Sequence, residues 1–316
     1  MDNRRIFEFL TARLNGGQPC ALVTVIAVDG SSMRGPGAHM AVCADGSFTG
    51  SLSGGCIENA VVAEALAAIA AGRTRITRFG NGSRFIDIKL PCGGGLDIHF
   101  LPLHDTDFAG QCADATARRR PFSMILPRDD GVAEYRDGWH RPHAIAGEAP
   151  IIIGHHPAPR LLIIGHGSAA ECLHQQAKGM DLDVRLLTPD MALADRLSGA
   201  NDDIILLRSV RDIRGLQSDA WSAIVFLFHD HDWEGHLMAH ALAQPHFYIG
   251  AMGGRKAHAA RCDSLRALGV GDDKIADIHA PIGLFHSSRD PASLALSALA
   301  EIVQCYQSYD FAAAQY

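Results

Sequence analysis

Residues 160–170 read RLLIIGHGSAA, and this stretch decides the fold of the second half of the chain. The apolar run from Leu161 to Ile164 is typical of a strand that is buried on both faces of a parallel sheet. Gly165 and Gly167 follow directly, and helical spacing begins after them. Glycines at this spacing between a strand and a helix form the dinucleotide-binding fingerprint, because they permit a tight turn and a close approach to a pyrophosphate. We therefore predict a Rossmann-like domain in which Gly165 and Gly167 bind a cofactor.

The residues after the fingerprint continue the alternation of strands and helices. Apolar, β-branched runs are separated by segments with helical spacing, which is typical of a doubly wound parallel sheet. The predicted strands cover residues 184–188, 204–207, 223–228 and 247–250. A final helix is predicted to begin at Asp290-Pro291, where an N-cap residue precedes a proline at the first helical position.

Further ligand candidates follow the ends of these strands, where open α/β sheets bind their ligands. Asp190 comes one or two residues later than the acid that binds ribose in NAD-binding folds, so either it turns back to the ribose or the site does not select NAD. His229 follows the fourth strand. Arg255 stands at the start of a helix after Gly253 and Gly254, where amide groups and a cation favour an anion.

A second glycine-rich stretch reads GSLSGGCIE and covers residues 50–58. Ser53, Gly54 and Gly55 are predicted to form a tight turn into a helix, which places Cys56 at or beside the first turn. The first N–H groups of a helix have no partner within it, so they suit an anionic ligand and stabilise a thiolate. The alternative is that the glycines only form the turn and Cys56 is a small buried hydrophobic residue.

Two more loops of turn-forming residues leave strands in the first hundred residues. One follows the apolar run 21–28 and carries Arg34, whose guanidinium could bind a phosphate through two hydrogen bonds. Taken alone, Arg34 is better explained as a solvated loop charge, and the presence of three such loops shifts the interpretation toward ligand binding. The other loop contains Cys92, Gly93 and Gly94. If the three loops converge, they form a pocket with one guanidinium, two soft thiols and many backbone amides.

Composition restricts the class of protein. The chain has 316 residues, a net charge of −7 and an ordinary globular composition, so we expect no nucleic-acid binding and no membrane span. No apolar signal segment follows Met1, and cytoplasmic localisation is the expectation. The eight cysteines include no C-x-x-C pair, so we expect reduced thiols and no metal site.

The expected fold class is α/β, with a mixed α/β N-terminal domain that carries the glycine-rich loops, followed by the Rossmann-like domain. The length predicts two domains, since domains typically hold about 100–200 residues. The boundaries that we assign are 1–105 for the N-terminal domain, 106–159 for a connecting hairpin and linker, 160–306 for the Rossmann-like domain with its C-terminal helix, and 307–316 for a tail. Within the connecting region, residues 155–159 resemble a linker because paired prolines disfavour regular structure.

The three loops and the second half of the chain together resemble the XdhC/CoxI family, whose members are accessory factors for molybdenum hydroxylases such as xanthine dehydrogenase. The resemblance covers nearly the whole chain and is least specific over 104–158. The stretches that carry it are GSSMRGPGA at 30–38, GSLSGGCIE at 50–58, PCGGG at 91–95, the Gly165 fingerprint, YIGAMGGRK at 248–256, PIGL at 281–284 and LSALAEI at 296–302.

The resemblance implies a function and a set of partners. Such a protein holds the molybdenum cofactor, as molybdopterin or its dinucleotide form, and supports its sulfuration with a cysteine desulfurase. It then delivers the cofactor to an apo molybdenum hydroxylase of the xanthine dehydrogenase type, and it is usually a homodimer. We assign the sulfur chemistry to Cys56 and Cys92. The residues that we expect to bind cofactor are Arg34, Ser53, Gly54, Gly55, Gly93, Gly94, Gly165, Gly167, Asp190, His229 and Arg255.

The sequence departs from the family pattern on the ligand side of the Rossmann-like domain. Thr188-Pro189-Asp190 replaces Asp-Pro-Arg, and a Phe-His-Asp at 228–230 replaces Thr-His-Asp. These changes leave open whether this domain binds NAD(P), the nucleotide of the cofactor or no nucleotide. An NAD(P)-dependent oxidoreductase is the alternative function, but no acid–base pair for hydride transfer stands out. We therefore expect an accessory maturation factor rather than a stand-alone enzyme.

Overall fold

The fold comes from a computed structural model, which forms two compact units over Met1–Pro157 and Ala158–Tyr316, here called unit 1 and unit 2. The residues that the structure describes are 3–55, 57–83, 93–141, 150–200, 202–228, 231–285 and 290–312.

Unit 1 combines two antiparallel sheets with three helices among its described residues. In chain order the elements are α1 (Asn3–Asn15), β1 (Cys20–Asp29), β2 (His39–Cys43), β3 (Phe48–Gly50), α2 (Glu58–Ala71), β4 (Arg75–Gly80), β5 (Gly95–Leu103), α3 (Asp107–Ala117), β6 (Phe122–Leu126), β7 (Glu134–Asp137) and β8 (Ile151–His155). The larger sheet has the strand order β3-β2-β1-β5-β4, and the smaller sheet has the order β7-β6-β8.

The larger sheet is buried on both faces, because apolar side chains of β1 alternate between two cores. Cys20 and Leu22 pack in the core formed with α1, α3 and the smaller sheet. Ala21 and Val23 point to the other side and pack against α2. This central strand has no solvated face, so its sequence is a continuous apolar run rather than an alternating one.

The structure corrects the linker prediction at His155. This residue is the last of β8, which pairs with β6, and its ring is buried. The prolines that suggested a linker, Pro157 and Pro159, follow the strand and do not interrupt it.

Unit 2 is built on a six-stranded sheet whose described strand pairs are all parallel. Its order, β11-β10-β9-β12-β13-β14, is the 3-2-1-4-5-6 order of nucleotide-binding Rossmann folds. Its elements are β9 (Arg160–Gly165), α4 (Gly167–Gly179), β10 (Asp183–Thr188), α5 (Met191–Leu197), β11 (Asp203–Leu206), β12 (Ser222–Leu227), a 3-10 turn (His231–Trp233), α6 (Glu234–Leu242), β13 (Tyr248–Ala251), α7 (Arg255–Ala267), α8 (Asp272–Ala276), β14 (Ile278–His279) and α9 (Pro291–Ser308). The predicted α/β class with a Rossmann-like second half is confirmed.

Helices cover both faces of the parallel sheet. Leu161 and Ile163 of β9 pack in one core, and Leu162 and Ile164 pack in the other. The final helix α9 begins as predicted, with the Asp290 carboxylate accepting a hydrogen bond from the Ser293 amide. Within the part of the chain that the structure describes, no helix combines the length and the apolar composition needed to cross a membrane.

Candidate functional site

Two of the glycine-rich loops of unit 1 lie directly against each other. Ser31 forms an isolated parallel bridge with Gly93. A Cβ atom added to Gly94 would lie 2.5 Å from the carbonyl oxygen of Ser31 and 2.7 Å from that of Asp29. Only glycine permits this approach of one backbone to another. The loop that carries Arg34 is therefore in contact with the loop that carries Gly93 and Gly94.

The third glycine-rich loop reaches the first through Met33. A Cβ atom on Gly54 would lie 2.7 Å from the Met33 sulfur, and the Met33 side chain is 77% exposed. Gly54 and Gly55 both have a positive φ, as the tight turn requires. The three loops thus form one cluster, which we call the loop cluster and define as residues 30–37, 51–55 and 93–95. The predicted reactive residues Cys56 and Cys92 lie outside the described residues.

Glu58 organises the second loop of this cluster. Its side chain turns back from the first residue of α2, and Oε1 accepts hydrogen bonds from the Ser51 hydroxyl at 2.7 Å and from the amides of Leu52 and Ser53 at 3.2 and 3.0 Å. Oε2 accepts from the Ser53 hydroxyl at 2.8 Å and from the Ile57 amide at 3.1 Å. Five hydrogen bonds to one carboxylate fix the conformation of the loop.

These bonds determine the charge of Glu58 and the anion-binding capacity of the loop. Burial opposes ionisation of Glu58, which is 8% exposed, but the hydrogen bonds outweigh burial and lower its pKa to about 2. The amides of Leu52, Ser53 and Ile57 therefore already have an anionic acceptor within the chain, and the Gly54 amide donates to the Ser51 hydroxyl. The glycine-rich pattern predicts that these amides face an anionic ligand, but in the structure they donate to Glu58 and Ser51 and shape the loop.

Arg78 of β4 holds the base of the loop cluster. Its guanidinium donates to Asp29 at the end of β1 at 2.9 Å, to Asp97 of β5 at 3.2 Å and to the carbonyl of Asn81 at 2.7 Å. The Asn81 amide in turn donates to the carbonyl of Gly94. One cation thus ties together the strand ends from which two loops of the cluster leave.

A pair of buried histidines lies beneath the Arg34 loop. His39 and His155 approach each other through their Nε2 atoms at 3.0 Å, and the Cε1 atom of His155 would be 4.0 Å from a Cβ on Gly37. Burial is the main cause that lowers the pKa of both rings, to about 3 for His155. For His39, electrostatic interactions with His155 and Arg34 add to this effect, so Arg34 acts on the ring electrostatically.

Neutral rings allow one consistent arrangement of hydrogen bonds. The NH2 group of the Asn3 side chain can only donate, so it donates a hydrogen bond to Nδ1 of His155 over 3.1 Å. His155 must then donate from Nε2 to His39, and His39 donates from Nδ1 to the Thr24 hydroxyl at 2.9 Å. This chain of bonds joins α1, β8, β2 and β1 under the loop cluster.

In unit 2 the predicted ligand residues stand at the carboxyl ends of neighbouring strands. Gly165 ends β9, where a Cβ would lie 2.5 Å from the carbonyl oxygen of Leu227, and Gly167 has a φ of 74° at the start of α4. Asp190 follows β10 and caps α5 by accepting from the Leu193 amide. Arg255 is the first residue of α7. His229 lies outside the described residues.

Neither Glu58 nor Arg78 is among the site residues predicted from the sequence. The signal for Glu58 was present, because a glutamate three residues after a Ser-x-Ser-Gly-Gly turn, at the start of the following helix, is placed to accept hydrogen bonds from that turn. Arg78 gave no signal, since its partners are distant in sequence. The described residues contain no group of three or more histidine, cysteine, aspartate or glutamate side chains that could hold a metal ion.

Comparisons with known proteins find relatives for both units. The model of the XdhC and CoxI family matches residues 13–80, and the model of the XdhC Rossmann domain matches residues 161–302. The molybdenum cofactor insertion chaperone PaoD of Escherichia coli is 31% identical over 98% of this chain and 91% of its own length. The uncharacterized protein YqeB of E. coli is 24% identical over 90% of this chain and 43% of its own length.

A solved structure supports the fold alone. The crystal structure described as a xanthine dehydrogenase from Bacillus halodurans matches with a TM-score of 0.77 and 21% identity, and the match covers 99% of this chain and 98% of the other. The family models match residues in both units, and PaoD is similar over nearly the full chain. These comparisons identify the family as well as the fold. On these grounds, the chain belongs to the XdhC and CoxI family.

Proposed function

We propose that this chain binds the molybdenum cofactor, as molybdopterin or its dinucleotide form, at the loop cluster of unit 1 and delivers it to an apo molybdenum hydroxylase of the xanthine dehydrogenase type. The observation that carries the proposal is the convergence of the three loops, through the bridge between Ser31 and Gly93 and the contact of Met33 with Gly54. The similarity to a cofactor insertion chaperone supports the same activity.

The residues of the loop cluster suit such a ligand in specific ways. Molybdopterin has a phosphate, a flat ring system and a metal held by sulfur. Arg34 supplies the cation for the phosphate. A Cβ atom on Gly93 would meet nothing within 4 Å, which leaves room for a flat ligand against the backbone there, whereas the space beside Gly94 is filled by the backbone of the Arg34 loop. Because Glu58 occupies the amides of Leu52 and Ser53, the phosphate depends on Arg34 more than on these amides.

Cys56 and Cys92 remain the residues to which we assign the sulfur chemistry. Thiolates are soft ligands that suit a metal already bound by sulfur. In this proposal they hold the metal end of the cofactor while a cysteine desulfurase supplies the sulfur. A cytoplasmic homodimer is part of the proposal, as the usual form of the family.

Unit 2 favours a second, nucleotide-binding role. The 3-2-1-4-5-6 strand order and the Gly165-x-Gly167 turn suit a nucleotide, which could be the nucleotide part of a dinucleotide cofactor. An NAD(P)-dependent oxidoreductase is the alternative that the same features favour. The two are separated by the molecule that copurifies with the protein, since a fluorescent oxidised pterin supports the first and a nicotinamide supports the second.

The test is purification of the full chain from cells that make the cofactor, followed by mass spectrometry, molybdenum analysis and transfer to an apo-hydroxylase. We expect wild-type protein to carry a pterin and activate the hydroxylase, and Arg34→Ala to lose most of both. Arg118→Ala is the matched control, because this exposed arginine of unit 1 pairs only locally with Asp114. If Arg34→Ala and Arg118→Ala load and transfer cofactor equally, the loop cluster is not the binding site.

A further inference from the structure

Two cysteines lie opposite each other in the larger sheet of unit 1. Cys20 is the first residue of β1, Cys43 is the last residue of β2, and the two are register partners in the antiparallel pairing of these strands. Both side chains pack in the core formed with α1, α3 and the smaller sheet, so they point to the same face of the larger sheet. Both are free cysteines. Two thiols therefore stand on directly opposed residues of one sheet face.

The backbone hydrogen bonds show which kind of antiparallel pair the two cysteines form. The Ala44 amide donates to the carbonyl of Pro19, and the Cys43 amide donates to the carbonyl of Ser47, on the side of β3. Cys20 and Cys43 are thus a non-hydrogen-bonded pair, in which the Cα atoms lie about 4.5 Å apart and the side chains are close. Disulfides usually join Cα atoms that are about 4.4–6.8 Å apart. The sheet therefore holds the two thiols where a disulfide can join them with little movement of the backbone.

The Cys20 thiol is influenced directly by Cys43. Burial raises the pKa of Cys20 to about 12, and the neighbouring Cys43 adds to this effect. The thiolate, which is the reactive form, is therefore scarce while the sheet is closed. Cys112 of α3 is buried in the same core, but burial accounts for its raised pKa without a contribution from another cysteine of the described residues. Cys20 and Cys43 are thus a pair, whereas Cys112 is a comparable single thiol.

The pair lies close to the protein surface at one end of the two strands. It is an end pair of the β1–β2 ladder, and Ala44, which follows Cys43, is exposed. Arg13 and Asp45 form an exposed ion pair at 3.2 Å, and the charges of both act on the Cys20 thiol. The ends of strands open more easily than their centres, and an exposed ion pair contributes little stability. A local opening at this end therefore gives a small reagent access to the thiols.

The two strands that carry the cysteines also flank the Arg34 loop. β1 leads into this loop and β2 follows it, so the chain from Cys20 to Cys43 is one antiparallel hairpin with the loop at its tip. Toward the tip, Thr24 and His39 are register partners and are joined by the hydrogen bond described above. A bond between the two sulfur atoms would close the hairpin at its base.

We propose that Cys20 and Cys43 form a disulfide by exchange with a small disulfide of the glutathione type, and that this bond fastens the base of the hairpin that carries the Arg34 loop. The thiolate of one cysteine attacks the small disulfide, forms a mixed disulfide and releases one small thiol. The other cysteine attacks the protein sulfur of the mixed disulfide and releases the second small thiol. Two protein thiols are oxidised, the sulfur–sulfur bond of the oxidant is reduced, and the two protons end on the released thiols. The inference does not depend on cofactor binding.

The competing account is that both cysteines only pack in the core and stay reduced. The experiment incubates the reduced full chain with glutathione disulfide without denaturant, quenches it with acid, alkylates the remaining thiols and maps the peptides by mass spectrometry. Cleavage at arginine and aspartate separates Cys43 from Cys56, because Asp45 lies between them, so a linked peptide identifies the pair. Cys20→Ala removes one thiol of the pair. Cys112→Ala is the matched control, because Cys112 is buried in the same core.

We expect a peptide that links Cys20 to Cys43 in wild-type protein and in Cys112→Ala, and no linked peptide that contains Cys43 in Cys20→Ala. The cross-linked protein should unfold roughly 5–10 °C above the reduced protein, because the bond restricts the unfolded chain. The inference is overturned if folded wild-type protein forms no such peptide, if the peptide forms only after urea is added, or if cross-linking leaves the melting temperature unchanged. If Cys20→Ala does not fold, the linked peptide of wild-type protein decides.

Discussion

Replacement of Glu58 by glutamine tests whether one carboxylate holds the second loop of the loop cluster. Glutamine has nearly the same shape but offers one oxygen instead of two. If that oxygen keeps the bonds to Ser51, Leu52 and Ser53, the amide nitrogen faces the Ile57 N–H, and two donors oppose each other. We expect the turn before α2 to loosen and unit 1 to lose stability.

The magnitude follows from the acidity of Glu58. A pKa lowered from 4.5 to about 2 corresponds to about 3 kcal/mol in favour of the ionised form in the folded state. Solvent at the loop surface screens these interactions, so we expect Glu58→Gln to lower the free energy of unfolding at pH 7 by roughly 1–2 kcal/mol. Because the folded pKa lies below the unfolded one, the contribution is complete above pH 4.5 and is lost as the pH falls toward 2.

Urea unfolding of the full chain at pH 7 and at pH 4, followed by circular dichroism, measures this effect. The difference between wild type and Glu58→Gln should be larger at pH 7 than at pH 4. Glu8→Gln is the control, because Glu8 forms an exposed pair with Arg4 that contributes about 0.3–0.5 kcal/mol. If Glu58→Gln and Glu8→Gln unfold with the same free energy at pH 7, the carboxylate does not fix the loop and our account of the site is wrong.

Three further predictions follow from the same unit. His39 and His155 are buried and neutral with lowered pKa values, so their contribution to stability is complete above pH 6.5 and is lost as the pH falls below it. For His155, with a pKa of about 3, the loss is about 2 kcal/mol at pH 5, and His155→Phe should reduce it in urea unfolding. Gly94→Ala should destabilise unit 1 by about 1–3 kcal/mol, because the added Cβ meets backbone atoms of the Arg34 loop. Gly110→Ala in α3, where the added Cβ has open space, should stabilise unit 1. Equal effects of the two substitutions in thermal unfolding would contradict the close approach of the loops. Cys56→Ala and Cys92→Ala should lower cofactor transfer to an apo-hydroxylase, while Cys172→Ala should leave it unchanged. Full transfer by a variant that lacks both Cys56 and Cys92 would show that neither thiol takes part in the mechanism.

The fold of unit 2 was predictable because local signals and long-range packing agree there. The apolar run Leu161 to Ile164 can only be buried on both faces, and Gly165 and Gly167 mark the turn that follows it. His155 shows the opposite case. Its chain neighbours Pro157 and Pro159 suggest a linker, but its strand is stabilised by pairing with β6, about thirty residues earlier, and no local pattern reports such a partner.

The candidate site was predictable in its residue types but not in its hydrogen bonds. Turn-forming residues identified the loops, and their convergence depends on Ser31, Gly93 and Gly94, all within stretches that the sequence singled out. It was not predictable that the amides before α2 donate to Glu58. Whether an amide at a helix start faces a ligand or an internal acceptor depends on how the Glu58 side chain folds, which spacing alone does not determine.

Each unit contains a glutamate, buried in the case of Glu58 and half-buried in the case of Glu301, that accepts hydrogen bonds from the backbone of a loop. Glu58 holds the turn before α2, and Glu301 holds the turn after β14. Loops fixed in this way lose little conformational entropy when a ligand binds, which favours affinity. In unit 1 the same bonds occupy amides that would otherwise bind an anion, so in the function proposed above the recognition of negative charge depends on the Arg34 side chain. A contact between a guanidinium and a phosphate near the surface weakens with ionic strength. Cofactor affinity should therefore fall as salt rises in wild-type protein and lose most of that dependence in Arg34→Ala, whereas a site built on backbone amides would keep it.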